Sequence, residues 1–134
     1  MSAALRPRVL VAEDDREMRR LVVETLERVG LEVIEASDGG RLLVLIGKTY
    51  ASGDRAHVFD LIVSDVRMPI CSGLQILRML RDANWRTPII VMTAFGDDET
   101  RRNAGELGAI FFDKPFELAD LRAEVCRVLG WPRA

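Results

Sequence analysis

The sequence is poor in the residues that thiolate metal sites and disulfide frameworks require. It has two cysteines, Cys71 and Cys126, which form no CxxC pair, and a single histidine, His57, to join them. A zinc centre or a disulfide scaffold is therefore not expected, and a reducing cytoplasm is the simplest setting. Long apolar runs are missing too. The longest, such as "LLVLI" and "PIIVM", are far too short to cross a bilayer. The opening "MSAALRPR" carries no apolar stretch of the kind a secretory signal needs. The net charge is only −2 at pH 7, which argues against non-specific affinity for nucleic acid or membrane surfaces.

What is present is an ordinary globular balance. The 134 residues are 49% apolar and 30% charged. That is one domain's worth of chain, expected to have its core between about residues 8 and 130. A chain of this size can bury roughly two-thirds of its unfolded surface, so the fold needs no staples.

Two hydrophobic periods alternate along the chain. Short valine- and isoleucine-rich runs ("RVLVA", "LEVIEA", "FDLIVSD", "PIIVMTA", "AIFFD") read as strands. Between and after them lie helical patterns. Met18, Leu21, Val22, Thr25, Leu26 and Val29 recur at helical spacing before Gly30. Asp38 opens a second helix ending near Tyr50, and a third runs from Gly73 to Ala83. A polar fourth covers Asp97 to Leu107, and a fifth Glu117 to Leu129. Five strand–helix units in strict alternation imply a doubly wound α/β fold: five parallel strands with helices on both faces. A common order for this class is 2-1-3-4-5, the flavodoxin-like arrangement. The stretch "TYASGDRAHV" is longer than the usual connection before a strand and is expected to be an exposed loop or an extra helical turn. His57 falls in it and reads as a surface side chain. Met68, Met79 and Met92 read as core or near-core filler, and both cysteines as small apolar residues.

Sheets of this class bind ligands beyond the carboxyl ends of their strands, where strand order reverses. Strand 1 ends in Glu13-Asp14-Asp15, strand 3 in Asp65, strand 4 in Thr93-Ala94 and strand 5 in Asp113-Lys114-Pro115. Carboxylates from adjacent strands repel one another unless a proton or a cation joins them. Hard oxygen ligands favour Mg²⁺, which keeps several waters and also binds phosphate oxygens. A carboxylate can attack phosphorus to give an aspartyl phosphate, and the transferred group needs positive charge and donors around it. Mg²⁺, the Lys114 ammonium and the Thr93 hydroxyl are such groups. Each feature alone has a plainer explanation: "EDD" as an acidic helix start with Asp15 as N-cap, Asp65 as a turn residue, Thr93 as a cap, Lys114 as a solvated charge. It is their ordered occurrence on four strand ends that points to one site.

From Val9 to about Leu129 these residues resemble the receiver domain of bacterial two-component response regulators. The motifs are "VAEDD", "SDVRMPICSG", "TA" at Thr93-Ala94 and "KPF" at Lys114-Pro115-Phe116. The resemblance implies that Asp65 is the phosphoacceptor, with Thr93 and Lys114 contacting phosphoryl oxygens. It implies Mg²⁺ ligation by Asp14, Asp65 and the backbone carbonyl of Arg67, with Glu13 acting largely through bound water. Thr93 and Phe111 would be the switch residues, and Lys114–Pro115 a candidate cis bond. The implied donor is the phosphohistidine of a histidine kinase or phosphotransfer protein, docking at the first helix and the loops around Asp65. Phosphorylation would reshape the surface of the fourth helix, fifth strand and fifth helix for an effector domain, an output protein or a second copy. Such a chain is a signalling phosphoacceptor, not an enzyme with a separate substrate, and the domain itself binds no nucleic acid.

Two positions near the site depart from the family's usual chemistry. Arg67 and Phe95 stand where side chains line access to the phosphoryl group. Phe95 cannot orient an attacking water by hydrogen bonding, and Arg67 can crowd the opening or reach back to the Glu13-Asp14-Asp65 cluster when metal is absent. The expectation is a phosphoryl group that hydrolyses more slowly than with polar residues at both places. Other functions fit less well. Mg²⁺-dependent phosphatases that pass through an aspartyl phosphate carry a second aspartate two residues after the nucleophile; here that residue is Arg67. A flavin carrier needs a phosphate-cradling loop after strand 1, and "EDDREMR" has the wrong sign. The intact Asp14, Asp65, Thr93 and Lys114 argue against an unphosphorylated interaction module without excluding it.

Overall fold

A computed structural model describes residues 6–52, 59–94 and 98–132. The elements follow in the order β1 (Arg8–Ala12), α1 (Arg16–Glu27), β2 (Glu32–Ala36), α2 (Gly39–Ser52), β3 (Leu61–Asp65), α3 (Gly73–Asp82), β4 (Ile89–Ala94), α4 (Asp98–Glu106), β5 (Ile110–Lys114) and α5 (Leu118–Leu129). All strand pairs are parallel, in the order β2-β1-β3-β4-β5. The expected architecture is the observed one.

Successive side chains of a strand point to opposite faces, so each central strand feeds two cores. Val9, Val11, Leu61, Val63, Ile90 and Met92 face α1 and α5, where Val22, Leu26, Leu121 and Val125 close over them. Leu10, Ala12, Ile62 and Val91 face α2, α3 and α4, packing with Leu42, Ile76, Leu77 and Ala104. This two-sided burial is why β1, β3 and β4 read as unbroken apolar runs rather than alternating ones.

The helix starts follow local chemistry. Asp15 caps α1, its Oδ1 accepting from the Glu17 and Met18 amides. Asp38 does the same for α2, accepting from the Arg41 amide at 2.8 Å. Ser72 and Gln75 form a reciprocal capping box on α3. The first helix ends at Glu27 rather than running to Gly30, which turns at φ +90° just after it. The second extends through Ser52, so the extra helical turn is present; residues 53–58, including His57, lie outside the described residues.

One expectation fails. Met79 is 52% exposed rather than core filler: it lines an apolar groove between α2 and α3 with Leu43, Ile46 and Trp85, which leave it half open. Met92 is fully buried, and Met68 and Cys71 pack partly against the α2–α3 side of the core.

Helix α4 is held differently from the rest. Ala104 is its one buried residue among those described. Its far end is tied by Arg81 of α3, whose Nε donates to the Leu107 carbonyl at 2.8 Å while Nη1 donates to the carbonyls of Trp85 and Thr87 at 2.8 and 3.0 Å.

Candidate functional site

Strand register assembles the site. Ala12 pairs with Ser64, which sets Glu13 beside Asp65 at the ends of β1 and β3. Asp65 pairs with Met92, so Thr93 stands one step further along β4, and Thr93 and Ala94 pair with Asp113 and Lys114. Four of the residues singled out in the sequence thus meet at one corner of the sheet. Glu13 is fully buried, Thr93 2% exposed and Asp65 7% exposed; Asp14 lies outside them in solvent contact.

Lys114 binds the acids together. Its Nζ donates to Glu13 Oε1 at 2.8 Å and to Asp65 Oδ2 at 2.9 Å. The other oxygen of Asp65, Oδ1, accepts from the Arg67 amide at 3.2 Å. Glu13 Oε2 accepts from the Asp15 amide at 3.1 Å. Burial is the largest influence on Glu13 and, helped by the charge of Asp65, raises its carboxyl to about 7 against the pull of Lys114. Burial also works against the Lys114 ammonium, but its hydrogen bonds and charge contacts with Glu13 and Asp65 outweigh that and raise its pKa. The Lys114–Pro115 bond is cis, as the motif implied.

The acids have the chemistry of a divalent cation site. One carboxylate oxygen from each of Glu13, Asp14 and Asp65 lies within 4.8 Å of the others. A hard cation that keeps part of its water shell fits such an all-oxygen set. The set opens on a cleft of ≈ 590 Å³ lined by Asp14, Arg67, Met68, Ser72 and, from α4, Thr100. Gly73 closes the floor: a methyl group there would lie 2.5 Å from the Asp65 carbonyl oxygen.

Phe111 stands away from the acids. Its ring packs on the α2–α3–α4 side, with Cε2 lying 3.9 Å from where a methyl group on Gly105 would sit. Phe95 lies outside the described residues. Two features were not visible in the sequence. Arg19 donates to the Glu13 carbonyl at 2.8 Å. Arg101 of α4 forms an ion pair with Asp113, the residue before Lys114.

A family model described as the response regulator receiver domain matches residues 9–126. The transcriptional regulatory proteins CpxR and CusR of Escherichia coli are each 36% identical to this chain, over 123 and 124 residues. Those alignments cover 91% of this chain but 49% and 51% of the two proteins, so the chain spans about half the length of these curated relatives. Among solved structures, the receiver domain of the Francisella response regulator 1452 aligns with a TM-score of 0.81 at 30% identity, covering 92% of this chain and 97% of that one. The chemotaxis protein CheY4 of Vibrio cholerae aligns with a TM-score of 0.76 at 31% identity, covering 93% and 100%.

Proposed function

This chain belongs to the response regulator receiver domain family, whose function is phosphoryl acceptance, and on that premise we propose that Asp65 is its phosphoacceptor. The observation that carries this assignment is the Lys114 ammonium, held between Asp65 Oδ2 and Glu13 Oε1 at 2.9 and 2.8 Å. A carboxylate placed at a strand end beside a fixed cation is oriented for attack and supplied with charge for the incoming phosphoryl oxygens.

The donor in this reading is a phosphohistidine of a histidine kinase or phosphotransfer protein. An Asp65 carboxylate oxygen forms the new P–O bond as the P–N bond breaks. The electron pair of that bond leaves with the imidazole, which takes up a proton. Lys114 balances the growing negative charge, and the buried Thr93 hydroxyl ends β4 where a phosphoryl oxygen can be met. Glu13, Asp14, Asp65 and the Arg67 carbonyl would hold Mg²⁺. Bound there, it would offset the charge of the acids and of the phosphoryl group.

The product places new negative charge beside Thr93, and Phe111, packed against the lightly held α4, would follow that helix as it shifts. The face formed by α4, β5 and α5 is then the output surface, read by an effector domain, a separate protein or a second copy. Among the described residues no helix is long and apolar enough to cross a membrane, and a cytoplasmic setting suits this partnership. The domain turns over no separate substrate.

Intact-mass measurement tests the proposal. With Mg²⁺ and a small acyl phosphate as donor, the chain should gain one phosphoryl group, and Asp65→Asn should gain none. An adduct that persists in Asp65→Asn would move the site elsewhere.

A further inference from the structure

We propose that Arg19 is a positioning residue for the cation site, fixing the direction of the Asp14 carboxylate by gripping the peptide that carries it. The inference rests on the Mg²⁺ reading above. Asp14 is exposed, so its direction is set by its backbone rather than by packing. Both peptide planes flanking it are pinned. The plane after it contains the Asp15 amide, which donates to Glu13 Oε2 at 3.1 Å. The plane before it contains the Glu13 carbonyl, which accepts from Arg19 Nη1 at 2.8 Å. On the far side of Glu13, its amide donates to the Ala36 carbonyl at the end of β2.

A guanidinium beside a cation site repels the cation. The surroundings offset that repulsion. Arg19 Nε bonds Glu35 Oε1 at 3.1 Å, and the arginine side chain is only 16% exposed. The guanidinium thus keeps its two-sided hold on β1 and β2 while its charge is matched by a carboxylate. Groups that orient metal ligands from behind commonly matter by tenfold or more in metal affinity.

The two effects of removing Arg19 have opposite signs, and this makes the test sharp. Loss of a positive charge strengthens cation binding; release of the Glu13–Asp14 peptide weakens it. Mg²⁺ alone is titrated into the wild type and Arg19→Met, following the backbone amide NMR signals of Asp14 and Asp65, with metal-free unfolding midpoints measured alongside. Arg19→Met should need about tenfold more Mg²⁺, and Arg19→Lys, which keeps the charge and one donor, should fall between. Affinity in Arg19→Met equal to or tighter than wild type overturns the inference, even if its midpoint drops. A wild type that shows no Mg²⁺-dependent shifts overturns the Mg²⁺ reading itself. Should Arg19→Met not fold, Arg19→Lys decides alone: weaker binding than wild type supports the inference, and equal or tighter binding overturns it.

Discussion

Lys114 Nζ lies 2.9 Å from Asp65 Oδ2, although β4 stands between the strands that carry them. The ammonium reaches across a whole strand end to meet the carboxylate. Its removal should therefore be felt in the chemistry. In Lys114→Met the rate of phosphoryl uptake from a small acyl phosphate should fall on the order of a hundredfold, the usual cost of losing one fixed charge-stabilising group. The appearance of the adduct by intact mass measures it, and an unchanged rate would leave Lys114 with a structural role only.

Gly73 tests how tightly the floor of the site is built. A methyl group there would lie 2.5 Å from the Asp65 carbonyl oxygen and 2.9 Å from Ser64 Oγ. The first of these is backbone and cannot rotate away. Gly73→Ala should cost about 1–3 kcal/mol in urea unfolding, as overpacking does. Because the shift falls on the Asp65 backbone, phosphoryl uptake should slow as well. Full stability with normal uptake would show that the α3 start can slide without disturbing the acid.

Ile70 carries backbone strain. Its φ is +77°, a conformation that a β-branched residue adopts at a cost of about 1–2 kcal/mol. Its side chain is 80% exposed, so little packing repays that cost. Ile70→Asn, which tolerates this conformation without the chain freedom of glycine, should raise stability by about 1 kcal/mol. A lower unfolding midpoint would mean that the packing of the Ile70 side chain over Gly40 of α2, where an added methyl group would lie 2.9 Å from its Cδ1, matters more than its backbone.

Cys71 supplies a pH dependence. Burial pushes its thiol above the ordinary 9.0. The folded state therefore keeps its proton to higher pH than the unfolded state does. The stability this contributes is fully present below 9.0 and is lost as pH rises through the folded value. Alkylation of native Cys71 at pH 9, followed by peptide mass, should be slower than in urea-unfolded chain, with the gap narrowing as pH is raised. Equal rates at pH 9 would show the thiol to be open to solvent.

Arg81 anchors the end of α4 that is remote from the cleft. Arg81→Met leaves the carbonyls of Trp85, Thr87 and Leu107 without these donors, at a cost of about 1–3 kcal/mol for each that stays buried. Hydrogen exchange should quicken in the last turn of α4 while α1 keeps its protection. Uniform quickening across both helices would show a global rather than a local loss.

The sequence displayed the site more fully than the supports around it. Glu13, Asp65, Thr93 and Lys114 could be found because each ends a strand, and parallel topology brings strand ends to one edge. Asp15 and Asp38 could be read as helix starts because capping belongs to a few residue types at a helix start. Arg19 and Arg81 were invisible for a common reason: both act on backbone carbonyls, and an acceptor that every residue owns leaves no mark in the sequence. Met79 was misread because helical spacing shows which residues share a face but not whether a neighbour covers it. Ile70 was missed because its residue type argues against the backbone conformation it adopts.

The bond between Lys114 and Glu13 joins residues 101 positions apart. Between them the chain lays down β2, β3 and β4, and β5 delivers the lysine last. A chain emerging from the ribosome thus holds its acids long before it holds the cation that sets them, and a fragment ending before β5 has a carboxylate with nothing to poise it. On the proposed role of Lys114, competence to accept a phosphoryl group is gained only when the final strand has docked.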